Sequence, residues 1–239
     1  MPTRPAPLLR AEAIAHRDAA DEELCGVSLR IQPACLTLIT GAPGSGAALL
    51  LRVLGLLERP ASGDLFLDNE PVHALDDAAL LQLRNHTYGF LFAEPFLLES
   101  FNVAENVAMP LFKIRGMDFE QARIRTAEVI AFAGLADVAD TPVSELSTFQ
   151  RHQVSLARAV AITPRVLIAE DAGAQLAERD LAAFAALLRA VPDQLGIAVI
   201  ATSAAEAGCF SSSREIRLEH GRIAADSRPV PTFEEPAHD

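Results

Sequence analysis

Basic residues are scarce in this chain. Its 239 residues include 20 Lys and Arg against 32 Asp and Glu, which gives a formal net charge of −12 at pH 7. A nucleic-acid binder needs a basic surface for phosphate contacts, and anionic membranes attract clusters of Lys and Arg. The charge balance therefore argues against nucleic acid as a partner and against direct electrostatic docking onto a membrane.

Cysteines and long apolar runs are also scarce. Cys25, Cys35 and Cys209 are odd in number and share no ligand spacing, and the six histidines form no i, i+4 pair. These patterns argue against a disulfide framework and a zinc site. No apolar run approaches the roughly 18 residues of a membrane span, and the first ten residues lack the apolar core of a signal peptide. We therefore expect a cytosolic protein.

The pattern that remains is that of an α/β protein. Half of the residues are hydrophobic, so the chain can bury a full core. Short apolar, partly β-branched runs at 36–40, 166–169 and 197–202 predict buried strands. Ala- and Leu-rich stretches, among them 151–161 and 180–191, predict helices between the strands. Buried strands separated by helices predict a mostly parallel sheet covered on both faces.

Three segments depart from this alternation. Residues 63–70 alternate with period two and contain a turn, which predicts a small antiparallel β element. Residues of about 94–160 combine a Phe-rich loop, helical stretches and a break at Gly134, which predicts a helical subdomain inserted in the α/β core. Residues 226–239 hold three prolines among charged and small residues, and they predict a flexible acidic tail.

A glycine loop without its cation is the most informative motif. The segment Gly41–Gly46 joins a predicted strand to a helix-forming run at 47–58. In the P-loop pattern the second glycine is followed by Lys and then by Ser or Thr, whereas Ala47 and Ala48 stand here. The Lys supplies charge to the β/γ-phosphates and the hydroxyl binds Mg²⁺. The candidate nucleotide-binding residues of this degenerate P-loop are Gly41, Gly44, Ser45, Gly46, Ala47 and Ala48.

Further segments follow the loop in a recognisable order. They are LFAEPFLLESFNVAENVAMPL at 91–111, SELS at 144–147, VSLARAV at 154–160 and PRVLIA at 164–169. In this order the chain closely resembles the ATP-binding subunit of ATP-binding-cassette (ABC) transporters, above all the branch that serves lipoprotein release and macrolide export. The resemblance implies a P-loop NTPase fold of the ABC type, in a single nucleotide-binding domain at 1–225.

The resemblance places two of the family's working segments on residues of different chemistry. The glutamine that senses Mg²⁺ and couples to the permease falls on Ala93. The signature Leu-Ser-Gly-Gly-Gln falls on 146–150 and reads Leu-Ser-Thr-Phe-Gln. Its glycines let the backbone approach the γ-phosphate held by the opposite subunit, and side chains in their place should block that approach. This degenerate signature consists of Ser147, Thr148, Phe149 and Gln150.

The positions that the family uses for hydrolysis differ as well. Its Asp-Glu pair reads Glu170-Asp171, so each carboxylate moves by one methylene group, and a misplacement of about 1 Å can lower a rate roughly 100-fold. The switch histidine falls on Ser203, and His16 or Arg17 replaces the aromatic that stacks on the base. We therefore expect no bound metal and no functional catalytic residue at the corresponding positions Glu170, Asp171, Ser203 and Ala93.

Apolar residues around 96–101 have two interpretations. Part of this cluster could face the core, because alternate positions of a strand point inward. In the ABC family, however, the loop after this strand helps to line the groove that receives the coupling helix of the permease. An exposed aromatic groove suits helix capture, so partner docking is favoured for Phe96, Leu97, Leu98 and Phe101.

These features together predict a degenerate ABC subunit, structural or regulatory rather than hydrolytic, in an exporter of lipoproteins, lipids or small molecules. It would dock on an FtsX-like or lipoprotein-release-type permease at the inner face of the cell membrane, beside a second ABC ATPase subunit. No cofactor is expected beyond weakly bound ATP or ADP, with Mg²⁺ binding in doubt. Two alternatives stay open. One is an active ATPase in which Ser45 or Thr40 supplies the hydroxyl and Glu170 and Asp171 hold Mg²⁺ and water; the other is a cytosolic binding module independent of any transporter.

Overall fold

The computed structural model describes residues 6–202 and 214–227. The strands are β1 (Leu9–Arg17), β2 (Glu23–Ile31), β3 (Leu36–Thr40), β4 (Ser62–Leu67), β5 (Glu70–Pro71), β6 (Tyr88–Leu91), β7 (Val166–Ala169), β8 (Ala198–Thr202), β9 (Arg214–Glu219) and β10 (Arg222–Asp226). The helices are α1 (Ala47–Leu54), α2 (Asp77–Thr87), α3 (Val103–Lys113), α4 (Phe119–Phe132), α5 (Thr148–Ala161) and α6 (Glu178–Leu195). Ser203 and the predicted tail beyond residue 227 lie outside the described residues.

The apolar strands form the main sheet, in the order β10-β9-β3-β8-β7-β6. β3 pairs in parallel with β8 and β9, β7 pairs in parallel with β8 and β6, and β10 closes one edge antiparallel to β9. Every residue of β7 and β8 is buried, as expected for parallel strands covered on both faces. The mostly parallel α/β sheet predicted from the sequence is confirmed.

A second sheet is antiparallel and has the order β2-β1-β4-β5. The predicted element at 63–70 forms β4 and β5, and it joins a larger hairpin, β1 with β2. The sequence analysis missed this hairpin, because the alternation in β1 is broken by a register shift between Ala11 and Ile14. The inner face of this sheet and one face of the main sheet enclose a core that contains Leu9, Leu24 and most of α1.

The opposite face of the main sheet is covered by helices. α5 packs between the sheet and the pair α3 and α4, and it contributes Val154, Leu156 and Val160 to their common core. Asn102 and Asp118 start α3 and α4 with reciprocal side-chain caps, which satisfy backbone amides that have no acceptor inside a helix. The P-loop helix α1 and the signature helix α5 thus lie on opposite faces of one sheet.

Helix α1 is shorter than the predicted run at 47–58. It ends at Leu54, followed by Gly55 and by Leu56 in the left-handed region at φ 57°. A Cβ at Gly55 would lie 3.2 Å from the Ile168 side chain on β7. The chain therefore turns away from the helix where it passes close to the main sheet, a tertiary constraint that the local sequence does not reveal.

Candidate functional site

The glycine loop joins β3 to α1, as its sequence predicts. Gly44 and Gly46 take the left-handed conformations φ 80° and φ 92°, which favour glycine. Gly46 is the N-cap of α1, and a Cβ there would lie 2.5 Å from the carbonyl oxygen of Glu23. Strand, loop and helix N-terminus therefore have the arrangement that binds phosphate through backbone amides.

The loop is held in place by its own serine and by a neighbouring turn. Ser45 is buried, its amide donates to the carbonyl of Ala42 at 2.9 Å, and its carbonyl accepts from the amide of Gly221 at 3.0 Å. Its hydroxyl accepts from the amide of Ala47 at 3.4 Å. A Cβ at Gly41 would lie 2.1 Å from that hydroxyl oxygen, so only glycine fits there. The backbone of the cradle is thus fixed without a bound ligand.

The first turn of α1 presents methyl groups where a working P-loop presents charge. Ala47 and Ala48 are half-buried, and the turn contains no acidic or basic residue. The hydroxyl of Thr40 donates to Glu215 at 2.9 Å, and the hydroxyl of Ser45 is turned into the loop. The backbone of the loop thus fits a phosphate, but these side chains do not fit the ligand set of Mg²⁺-ATP.

The carboxylate pair follows β7, beside the loop helix. The amide of Glu170 donates to the carbonyl of Leu91 at 2.8 Å, and the amide of Asp171 donates to the hydroxyl of Thr202 at 3.0 Å. Burial raises the pKa of Glu170, and the charges of Asp171 and Glu22 raise it further against the opposing effect of Arg52. Glu170 is therefore close enough to α1 to sense its charged neighbours.

A cluster of charged residues that the sequence analysis did not predict surrounds Arg52 on α1. Its guanidinium donates to Asp18 at 2.5 Å and to Glu58 at 3.0 Å, and Glu22 lies 4.0 Å away. Glu58 is also paired with His16, at 2.9 Å. Burial alone would raise the pKa of Glu58, but the hydrogen bonds with His16 and Arg52 outweigh it and lower the pKa. His16, at the expected base-stacking position, is thus committed to an ion-pair cluster.

The signature segment is capped by its own side chains. Ser147 is the N-cap of α5: its hydroxyl accepts from the amide of Gln150 at 3.2 Å, and its amide donates to the Gln150 side chain at 3.0 Å. Thr148 is exposed, whereas Phe149 is half-buried and packs against the core beneath the helices. Bulk therefore stands at the two glycine positions, and the ring at 149 has a packing role.

Helix α5 also fixes the segment that contains Ala93. The ring of His152 lies 3.2 Å from the carbonyl oxygen of Ala93 and 2.9 Å from that of Thr148. The guanidinium of Arg158 donates to the carbonyls of Pro95 and Phe96, both at 2.8 Å. His152 and Arg158 were missed because their partners are backbone atoms far along the chain; their spacing by six on one helix was the available signal.

The four residues proposed for docking divide into two groups. Phe96, Leu98 and Phe101 are 62%, 39% and 38% exposed, whereas Leu97 is only 8% exposed and belongs to the core. Phe96 adopts φ 45°, a left-handed conformation that is uncommon for a residue with a Cβ. The chain thus holds an aromatic side chain in solvent at some conformational cost.

An apolar groove lies next to these residues, between α3 and α4. It has a volume of about 590 Å³ and is lined by, among others, Phe101, Met109, Phe112, Phe119 and Ile130. Phe112 and Phe119 are 42% and 73% exposed. The sequence analysis did not select them, because the amphipathic pattern of a helix does not reveal which apolar side chains lack a partner in the fold. In the part of the chain that is described, no helix is long and apolar enough to cross a membrane.

Comparison with known proteins places these features in context. The family model described as ABC transporter matches residues 24–174. The lipoprotein-releasing system ATP-binding protein LolD of Myxococcus xanthus is 36% identical over 201 residues, which cover 84% of this chain and 89% of that protein. LolD of Geobacter metallireducens is 32% identical, over 85% of this chain and 90% of that protein. The solved structure of the ATP-binding cassette MJ0796, a dimer in a post-hydrolysis state bound to ADP and Pi, is 26% identical with a TM-score of 0.79, over 94% of this chain and 100% of that one.

Proposed function

The chain belongs to the ABC transporter family, and from this membership we propose that it is a structural or regulatory cassette subunit of a lipoprotein-release-like transporter. The similar LolD proteins are named as ATP-binding proteins of a lipoprotein-releasing system. In this proposal the subunit keeps the cassette frame and docks on a permease at the inner face of the membrane. It hydrolyses no ATP at its own P-loop.

The observation that carries the proposal is the first turn of α1. A phosphate cradle is built there by Gly44, Gly46 and the helix amides, yet Ala47 and Ala48 offer neither a cation nor a hydroxyl. Positioned charge usually makes the largest single contribution to catalysis, and phosphoryl transfer depends almost entirely on it. A site of this composition supports a subunit that shapes a complex rather than one that turns over nucleotide.

The alternative of an ATPase with substitute residues requires a hydroxyl near the cradle. Thr40 bonds to Glu215 on β9 and Ser45 faces its own loop, so both named candidates are already engaged. The bulk of Thr148 and Phe149 adds a second obstacle at the signature, where close backbone approach needs glycine. Both observations favour the non-hydrolytic subunit.

Docking on a permease is supported by the groove and by the residues beside it. Phe96, Leu98 and Phe101 stand exposed next to the apolar space between α3 and α4. An amphipathic helix that lays its apolar face into such a groove is a recurrent mode of recognition. We propose that a helix of the permease, presented on its cytoplasmic side, occupies this groove, with a second ABC ATPase subunit beside the chain.

Affinity capture from detergent-solubilised membranes tests this docking. The purified chain is expected to retain a protein with several membrane-spanning segments, identified by mass spectrometry. Phe96→Ser combined with Phe112→Ser should reduce its recovery at least tenfold, because exposed aromatic anchors supply much of the binding energy of such interfaces. Leu81→Ser removes an apolar side chain of similar exposure, 44%, from α2, and it should leave recovery unchanged. Equal recovery with all three proteins would reject the groove as the docking surface.

A further inference from the structure

A carboxylate of the chain itself lies on the phosphate cradle. Glu22, immediately before β2, accepts a hydrogen bond through Oε2 from the amide of Leu49 at 3.2 Å. Leu49 is the third residue of α1, one of the positions whose amides have no acceptor within the helix. The N-cap residue, Gly46, supplies no side-chain cap. The acceptor at this helix N-terminus therefore comes from the hairpin turn between β1 and β2.

We propose that Glu22 acts as a built-in anion that closes the cradle to phosphate-bearing ligands. The amides and the dipole of a helix N-terminus stabilise negative charge. A phosphate entering the loop would have to displace the carboxylate from Leu49 or remain next to it. Glu22 thus replaces a bound phosphate, and it keeps the loop ordered without nucleotide. This autoinhibitory contact rests on the proposed function, since it regulates the same P-loop.

The turn that carries Glu22 is tied to α1 at several points. Asp18 accepts the backbone amides of Ala20 and Glu22, both at 2.9 Å, and it also binds the guanidinium of Arg52 at 2.5 Å. The Glu22 side chain is 19% exposed and lies 4.0 Å from Arg52. Asp18 therefore fixes the backbone of the turn and the cation beside it. The carboxylate is held over the helix rather than resting there by chance.

The local charge favours the same outcome. Asp18, Glu22 and Glu58 surround the guanidinium of Arg52, and Glu170 approaches from the end of β7. With several carboxylates around one guanidinium, a polyanion would meet net repulsion. Removal of Glu22 should both free the Leu49 amide and relieve part of this repulsion.

The experiment uses inorganic tripolyphosphate as the probe, so that neither base nor ribose contributes. We expect Glu22→Ala to bind it about tenfold more tightly than the unmodified chain, read from the rise in melting temperature with probe concentration. Glu23→Ala is the matched control. It removes the same charge from the next residue, whose carboxylate pairs with Arg17 at 2.8 Å instead of with α1, and it should change the affinity less than twofold.

A second measurement needs no ligand. Amide hydrogen exchange at Leu49 should be faster in Glu22→Ala than in the unmodified chain, and unchanged in Glu23→Ala. Equal probe affinity for the two variants would overturn the proposal, and so would unchanged exchange at Leu49. A failure of the proposed function appears elsewhere, as ATP turnover by the unmodified chain, and can therefore be distinguished from a failure of this inference.

Discussion

At the scale of single residues, the loop differs from a working P-loop by one positive charge and one hydroxyl. A hydrogen bond to a charged group contributes about 1.5–3 kcal/mol, and each 1.4 kcal/mol corresponds to a tenfold change in affinity. The helix N-terminus and its amides, which Gly46 and α1 retain, contribute about 0.3–2 kcal/mol to anion binding. The methyl group of Ala47 thus removes at least as much as the backbone preserves, and weak nucleotide binding follows.

Glu170→Gln should stabilise the protein at neutral pH. Burial is the main cause of the raised pKa of Glu170, so the folded state holds this proton more tightly than the unfolded state. The cost of the ionised carboxylate is absent below the unfolded-state pKa, grows as pH rises to the folded-state pKa, and then stays constant. We expect the melting temperature of the variant to exceed that of the parent by about 2 °C at pH 7, a small effect because the group is partly exposed.

The same comparison at pH 4 serves as the internal control, since both side chains are then largely neutral and the difference should vanish. Glu94→Gln, which removes an exposed carboxylate, should show no such gain at pH 7. A lower melting temperature for Glu170→Gln at pH 7 would mean that Glu170 makes a favourable ionic contact, as a metal-holding residue would.

At the scale of elements, α5 links the signature segment to the docking region. Its first turn is closed by Ser147 and Gln150, and its middle fixes the backbone at Ala93 and Phe96 through His152 and Arg158. Movement of the helix would therefore displace the exposed ring of Phe96. The element carries a mechanical connection even where its nucleotide-facing residues have changed.

The cap of α5 gives a measurable prediction. Ser147→Ala removes the side-chain acceptor of the helix N-terminus, and such a loss costs about 1 kcal/mol, or roughly 2–4 °C in melting temperature for a domain of this size. Ser144→Ala, an exposed serine three residues earlier, should leave the melting temperature unchanged. If the two variants melted alike, the Ser147 hydroxyl would not cap the helix in solution.

The elements show how far the sequence could predict this structure. The strands at 36–40 and 166–169 were predictable, because buried parallel strands are continuous apolar runs. The cap that Glu22 places on Leu49 was not, since it joins residues 27 positions apart on different elements. For the same reason the sequence could place Leu97 in an apolar cluster, but it could not assign that residue to the core and Phe96 to the surface.

At the scale of the whole molecule, the frame does not depend on the chemistry of the loop. One core joins the antiparallel sheet and α1 to the main sheet, and another joins the helices around α5 to its opposite face. Ala47 and Ala48 lie at the margin of the first core and are half-buried. Their replacement should therefore alter ligand binding while leaving the fold intact, which makes a restoration experiment interpretable.

Calorimetric titration with Mg-ATP, comparing the unmodified chain with Ala47→Lys combined with Ala48→Ser, tests the account most directly. We predict that the restored P-loop binds at least tenfold more tightly, because it regains charge-assisted contacts worth about 1.5–3 kcal/mol each. The unmodified chain should show no turnover of the same ligand. Tight Mg-ATP binding by the unmodified chain, with hydrolysis abolished by Glu170→Gln, would contradict the claim that this cassette keeps its phosphate cradle without the chemistry that uses it.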